Sequence, residues 1–123
     1  MIHLDTSVLV AALGPVEAVS HRLRGMVADG ERPSVCTVVL YEWWRGPRTA
    51  AQLADQEVLL PISAAVPFGA VEARIAADLY GRMRRARDRE VDIAIAACAI
   101  SHGAALWTLN RRDFADIPGL ELI

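Results

Sequence analysis

Lysine is absent from this sequence of 123 residues, and all thirteen basic residues are arginine. Arginine pairs with phosphate in a bidentate manner, so this bias could serve phosphate recognition. Codon usage in the source genome is the ordinary alternative, and we favour it. Fifteen acidic residues outnumber the basic ones and give a net charge of −2. The chain therefore has no bulk electrostatic attraction to nucleic acids or membranes.

Cysteine is also scarce, since only Cys36 and Cys98 occur and they form no Cys-x-x-Cys motif. Both lie in apolar stretches, so we expect them to be reduced core residues of a cytoplasmic protein. The N-terminus has neither a basic segment nor a small-residue cleavage site, which predicts that there is no signal peptide. The longest apolar stretch, 91–109, is interrupted by an aspartate, a histidine and a glycine, which argues against a membrane span.

Hydrophobic residues make up 54% of the chain, which is ample for one core. Short, continuous apolar segments that are typical of buried strands alternate with segments whose apolar residues recur at helical spacing. Strands are predicted at residues 2–4, 33–39 and 105–109, with short further strands at 64–66 and 120–123. Helices are predicted at residues 8–13, 16–28, 40–45, 47–56, 69–87 and 91–100. This alternation predicts a single α/β domain over residues 1–123, with a central parallel sheet flanked by helices on both faces.

The segment 90–114 organises the rest of the chain. Residues 91–100 contain one polar side chain, Asp92, among Val, Ile, Ala and Cys. A helix that is apolar on all sides belongs in the middle of a domain. Gly103 is placed to cap this helix, and a short apolar run follows as a buried strand.

Four acidic residues lie next to predicted strand ends or helix starts. They are Asp5, Glu42, Asp92 and Asp113. The carboxyl ends of parallel strands line the binding crevice of an open α/β sheet, so these acids can converge at one rim. Carboxylates brought together repel one another, and a hard divalent cation such as Mg²⁺ or Mn²⁺ removes that cost. Such a site can activate water and neutralise charge on a phosphodiester. Thr6, Ser7 and Asn110 would add neutral oxygens or donors.

Each of these residues has an ordinary alternative role. Asp5 could cap the first helix, and Glu42 could be a solvated residue on a helix face. Asp92 could simply complement the positive end of its helix. Asn110 and Asp113 could form an Asx-turn and a cap. The order and context of the four acids together favour a shared site.

Four segments of the chain resemble the PIN-domain ribonucleases, and more closely the VapC toxins of type II toxin–antitoxin pairs. They are LDTSVLVA, the Glu42 segment with Gly46, VDIAIAACAISHGA, and LWTLNRRDF followed by IPGLEL. The resemblance implies a three-layer α/β fold with a central parallel sheet, usually in a homodimer. It also implies cleavage of RNA that depends on Mg²⁺ or Mn²⁺, and inhibition by a cognate antitoxin protein.

Matched by motif, Asp5, Glu42 and Asp92 correspond to the first three acids of that family, with Asp5 and Asp92 as metal ligands. Asn110 is neutral, so Asp113 is the better candidate for the fourth acid. The chain departs from the family pattern after Glu42, where two tryptophans replace the usual Leu-x. This departure concerns the packing around Glu42 and not the acid itself.

Five arginines crowd residues 82–89. On a continuous helix Arg82, Arg85 and Arg89 would share a face. These arginines could hold RNA phosphates, or they could pair with Glu90, Asp88 and an acidic antitoxin segment. A solvated helix face is an equal alternative. The aromatic residues beside Glu42 are Tyr41, Trp43 and Trp44. They could stack on bases or anchor an interface, and we expect at least one tryptophan to be in the core.

Two other classes of protein remain as alternatives. Phosphotransferases that form an aspartyl phosphate also place an aspartate after the first strand. They usually have a second aspartate two residues on, where this chain has Ser7, and no glycine-rich phosphate loop is present. The other alternative is a catalytically weak PIN-like module that only binds RNA or a partner, which the neutral Asn110 leaves open.

Overall fold

The computed structural model describes residues 1–123, and three short parallel strands form its sheet. The strands are β1 (Ile2–Leu4), β2 (Pro33–Ser34) and β3 (Ala105–Trp107). β1 is the central strand, and its residue Ile2 lies opposite Pro33 on one side and Ala105 on the other. All three residues of β1 are buried, as is usual for a strand covered on both faces.

Six α-helices flank the sheet. They are α1 (Thr6–Ala12), α2 (Glu17–Ala28), α3 (Thr37–Arg45), α4 (Ala50–Leu59), α5 (Ala70–Arg82) and α6 (Glu90–Ser101). Two 3₁₀ turns occur at Ile62–Ala64 and Arg111–Asp113. α5 packs against α6, while α1 packs against both α2 and α3. The predicted α/β fold with a central parallel sheet is confirmed. None of the helices is both long enough and apolar enough to cross a bilayer.

α6 contributes more buried residues than any other helix, as its apolar sequence predicts. Ile93 and all of residues 95–99 are buried. Gly103 ends the helix with a left-handed φ of +60° and donates its N–H to the carbonyl of Ile100, which is the expected glycine cap. Since the core holds this helix on most sides, the position of Asp92 in its first turn is well fixed.

The predicted strand at 33–39 is too long, because β2 ends at Ser34 and α3 begins at Thr37. The N–H of Thr37 bonds to the carbonyl of Val66, which ends the extended segment, and Val39 then packs fully buried as a helical residue. Core packing here overrides the strand preference of β-branched residues. The predicted strand at 64–66 is reduced to one isolated parallel bridge at Val66.

Two predicted helix boundaries are wrong as well. α4 begins after Thr49 and not at Pro47, because Thr49 and Gln52 form a reciprocal capping box. α5 ends at Arg82 and does not continue to about residue 87. Met83 adopts an extended backbone and packs against the core, which takes the chain off the helical path.

The C-terminal strands are shorter than predicted. β3 ends at Trp107, two residues before the predicted end, because its partner strand β1 ends at Leu4, which lies opposite Trp107. The predicted strand at 120–123 is a single bridge between Leu122 and Leu106.

The predicted core positions of both cysteines and of one tryptophan are confirmed. Cys36 and Cys98 are free and buried. Trp43 is completely buried in the core, whereas Trp44 keeps 46% of its surface exposed. His3, inside β1, is an unexpected buried polar residue. Neither ring nitrogen has a hydrogen-bond partner, and burial lowers the pKa of His3 to about 4.

Candidate active site

Asp5 lies where β1 ends and α1 begins, and it is 4% exposed. Its N–H donates to the carbonyl of Trp107 at 2.9 Å, which ties this corner to the end of β3. The side chain occupies the N-cap position of α1 but makes no capping hydrogen bond. The alternative role for Asp5, a helix cap, therefore finds no support in its side-chain contacts.

Two hydroxyls hold the carboxylate of Asp5. Ser7 and Thr108 each donate to its Oδ2 atom at 2.8 Å. Thr108 is itself buried, and its hydroxyl also accepts the N–H of Asn110 at 3.0 Å. Thr108 was not among the predicted site residues. The available signal was its position, a hydroxyl residue directly after the strand that lies beside β1.

Glu42 reaches the same region from α3, since the Oγ1 hydroxyl of Thr6 donates to its Oε1 atom at 2.6 Å. Its other carboxylate oxygen lies 3.4 Å from the Arg45 guanidinium one turn later. The side chain of Glu42 is only 20% exposed. Glu42 is therefore held near the N-terminus of α1 and is not an ordinary solvated residue.

Asp92 is half-buried in the first turn of α6. Burial raises the pKa of Asp92 to about 6, and the charges of Asp5, Asp113 and Glu42 contribute in the same direction. Only Arg89 acts to lower it. All four predicted acids are therefore close enough to interact electrostatically around Asp92. Such a pKa shift, caused by burial and like charges together, marks a candidate functional site.

Asp113 is exposed at the end of the 3₁₀ turn Arg111–Asp113. Its charge contributes to the raised pKa of Asp92, whereas Asn110, at the start of that turn, is exposed and caps nothing with its side chain. Asn110 enters the network only through its backbone N–H, which bonds to Thr108. Of the two candidates for the fourth position, only Asp113 affects the charge balance of the cluster.

The predicted arginine face is wrong, because Arg85 and Arg89 lie beyond the end of α5 and share no helix with Arg82. Arg82 pairs with Asp78 one turn earlier, at 3.2 Å. Arg89 pairs with Asp116, with the closest approach at 2.6 Å. The three arginines therefore do not share one helix face.

The donor chemistry of the cluster suits a hard divalent cation, because it consists of carboxylate and hydroxyl oxygens. Asp92 is a half-buried acid whose charge is disfavoured by three neighbours, so a cation beside it would relieve repulsion. No three acidic, histidine or cysteine side chains are close enough together to share one ion as they stand. Ligation by several of them would thus require the carboxylates to move toward the ion.

A protein-family profile described as the PIN domain matches residues 2–120 of the chain. The chain belongs to the PIN-domain family. Ribonuclease VapC1 of Rickettsia felis is similar to this PIN-domain protein, with 43% identity over 75 residues. That match covers 58% of this chain and 54% of the relative, so the chain spans about half the length of this curated relative.

Solved structures share the whole fold of this PIN-domain chain. VapBC2 of Rickettsia felis bound to a promoter DNA fragment matches all of this chain and 98% of the other, with a TM-score of 0.77 and 22% identity. DNA-bound VapBC of Salmonella typhimurium matches 99% and 96%, with a TM-score of 0.74 and 23% identity. FitAcB of Neisseria gonorrhoeae matches 100% and 97%, with a TM-score of 0.73 and 20% identity. At these identities the likeness establishes the fold.

Proposed function

We propose that this PIN-domain protein is a metal-dependent endoribonuclease that acts as the toxin of a toxin–antitoxin pair. The observation that carries the proposal is the placement of four acids from separate parts of the chain around one corner of the sheet, where hydroxyls hold Asp5 and Glu42 and Asp92 is half-buried. The raised pKa of Asp92 agrees with this placement. The name of the curated relative, a ribonuclease, gives independent support. The reaction is the hydrolysis of RNA phosphodiester bonds.

Asp5, Glu42 and Asp92 would hold the cation, Mg²⁺ or Mn²⁺, and Asp113 would complete the cluster directly or through water. When bound, such a cation eases the deprotonation of water and offsets the negative charge that builds on a phosphodiester. The protein's own contribution is to hold the acids in one region, from which their carboxylates move onto the ion. Ser7 and Thr108 hold one oxygen of Asp5, and no hydrogen-bond donor approaches its other oxygen.

Thr6 makes the equivalent contribution to Glu42. Its hydroxyl donates to the Oε1 atom, while Oε2 has only a long and exposed contact with Arg45. One oxygen of each acid is thus fixed by a hydroxyl, and the second is free or weakly held. Fixing ligand oxygens through outer hydrogen bonds reduces the ordering that accompanies cation binding.

The partners follow from the same proposal. Two of the structural relatives are VapBC bound to DNA, and a third is FitAcB. We infer a cognate antitoxin as the protein partner, with RNA as the substrate, a homodimer as the working assembly and the cytoplasm as the location. Expression of the protein without its antitoxin should then arrest growth.

The test is RNA cleavage by the purified protein with Mn²⁺, with a chelator, and with Mn²⁺ restored. Asp5→Asn, Glu42→Gln and Asp92→Asn should each lower the cleavage rate by orders of magnitude, because each removes a charged oxygen ligand. Asp55→Asn, which changes an exposed aspartate on α4, is the matched control and should cleave like the wild type.

Two outcomes would contradict the proposal. Cleavage that persists in the chelator, or in a carefully purified Asp5→Asn protein, would come from a contaminant or from a different site. A wild type that binds RNA but never cleaves it with either metal would leave the alternative of a binding module.

A further inference from the structure

The Arg89 guanidinium lies at a junction of three chain segments. Its Nη1 atom donates to the carbonyl of Arg85 and to Oδ2 of Asp116, both at 2.8 Å. Its Nη2 atom donates to the carbonyl of Asp113 and to Oδ1 of Asp116, both at 2.6 Å. The pair with Asp116 is thus bidentate, the strongest geometry that arginine and a carboxylate adopt.

The segments that meet at Arg89 carry two of the four acids. Arg89 is the N-cap residue of α6, and its own carbonyl accepts the N–H of Ile93 at 2.9 Å, so it is rigidly connected to the first turn that bears Asp92. Its guanidinium holds the backbone of Asp113 itself. No other side chain donates a hydrogen bond to the turn that bears Asp113.

The backbone of Asp88, the residue before Arg89, also helps to place Arg89 at the start of α6. Asp88 has a φ of +65°, and it is the only residue other than glycine with a left-handed backbone. This conformation costs free energy and persists only where the surroundings require it. The turn at Asp88 is the step that redirects the chain from the loop after α5 into α6.

We propose that Arg89 is a positioning residue, which joins the first turn of α6 to the Arg111–Asp113 turn and so sets the spacing of Asp92 and Asp113 for the cation. This inference rests on the proposed function. It replaces the predicted role of Arg89 as a phosphate contact. Four of the five guanidinium N–H donors are already used, and Asp116 neutralises the charge.

The experiment compares Arg89→Lys with Arg87→Lys. Lysine keeps the charge but cannot reproduce the planar fork that reaches three acceptors. Arg87→Lys makes the same change two residues earlier, at an exposed side chain with no hydrogen-bond partner. Mn²⁺ affinity is measured from the electron paramagnetic resonance signal of free Mn²⁺, and RNA affinity is measured by fluorescence anisotropy in a chelator.

We expect the Mn²⁺ dissociation constant to rise about 10-fold or more in Arg89→Lys, which is the usual effect of losing an outer-sphere contact. RNA affinity without metal should change less than about two-fold, because the charge is retained, and Arg87→Lys should match the wild type in both assays. A role limited to general stability would not separate metal affinity from RNA affinity in this way.

A second variant, Asp116→Asn, keeps the shape of the acceptor but weakens its hold on Arg89. It should raise the Mn²⁺ dissociation constant by a smaller factor, and this test also serves if Arg89→Lys fails to fold. Wild-type affinity for Mn²⁺ in both Arg89→Lys and Asp116→Asn, or equal loss in Arg87→Lys, would overturn the positioning role. A wild type that binds no Mn²⁺ would instead overturn the proposed function.

Discussion

At the scale of single residues, Asp92 is held in an unfavourable environment when no cation is bound. Burial and three neighbouring acids raise its pKa from 3.8 to about 6. A carboxyl whose pKa is higher in the folded than in the unfolded protein favours folding most at a pH below its unfolded pKa. This contribution to the free energy of unfolding is lost as the pH rises through about 6. The charged form at pH 7 therefore costs stability, in the range of roughly 1–3 kcal/mol.

We predict that Asp92→Asn raises the free energy of unfolding in a chelator at pH 7 by about 1 kcal/mol or more. The advantage of the variant over the wild type should shrink between pH 7 and pH 4, since the wild-type carboxyl becomes protonated. Urea denaturation at several pH values measures both effects. Glu90→Gln is the control, because this exposed acid at the start of α6 complements the helix dipole, and its loss should slightly destabilise. If Asp92→Asn instead lowered the free energy of unfolding, the claim that neighbouring acids repel Asp92 would be wrong.

The fourth position of the site is decided by comparing Asp113→Asn with Asn110→Ala. Asp113 affects the charge state of Asp92, whereas Asn110 contributes only its backbone N–H to the network. We predict that Asp113→Asn lowers RNA cleavage at least about 10-fold, while Asn110→Ala stays within about three-fold of the wild type. Cleavage assays under single-turnover conditions measure both. Wild-type cleavage by Asp113→Asn would show that the fourth acid is assigned wrongly.

At the scale of helices and strands, the sequence predicted which elements exist better than where they end. The start of β1 and the buried helix α6 were predictable because their apolar patterns have no competing interpretation. The end of α5 was not, since Met83 leaves the helix to pack on a core whose shape the local pattern does not contain. The start of α3 at Thr37 similarly depends on Val66, a partner far away in the chain.

In the candidate site, too, features set by the local sequence were predictable, and features set by distant residues were not. The placement of Asp5 and Asp92 was predictable, because each lies at the end of a strand or the start of a helix. Thr108 was not selected, because its role depends on Asp5, 103 positions away. The contacts of Arg89 could not be predicted either. Its contact with Asp116 spans 27 positions and requires the left-handed turn at Asp88.

The loop between α5 and α6, residues 83–89, still contains a candidate RNA contact after Arg89 is assigned to positioning. Arg85 is exposed there, and no hydrogen bond engages its guanidinium. We predict that Arg85→Ala weakens RNA binding in a chelator and reduces the slope of log affinity against log salt by about 0.7, the effect of one lost phosphate contact on a single strand. Arg74→Ala, on an exposed part of α5, is the control. An unchanged salt slope for Arg85→Ala would assign the loop to another role.

At the scale of the whole molecule, the acid cluster couples distant parts of the chain. Asp5 follows β1, Glu42 lies on α3, Asp92 on α6 and Asp113 after β3. A cation shared among them would therefore join elements that are separated by most of the sequence. That one domain spans residues 1–123 stays a prediction, and cooperative unfolding with a single transition would agree with it.

Binding of a cation only to the folded state must raise the apparent stability of the entire protein. We predict that Mn²⁺ at about 100 times its dissociation constant adds about 2.7 kcal/mol, which corresponds to a rise in Tm of roughly 10 °C for a chain of this size. Thermal melts with and without Mn²⁺ measure the shift.

Asp92→Asn should melt above the wild type in a chelator and yet gain almost nothing from Mn²⁺, because the same carboxylate that costs stability alone is a ligand of the ion. Asp55→Asn should keep the full shift, since that aspartate lies on α4 outside the cluster. If the Tm of the wild type did not change with Mn²⁺, the proposed metal site would be wrong. An equal Mn²⁺ shift in Asp92→Asn would place the ion elsewhere on the molecule. The variant is then more stable without metal, and Mn²⁺ removes or reverses that advantage. A helix-capping role for Asp92 does not produce this outcome.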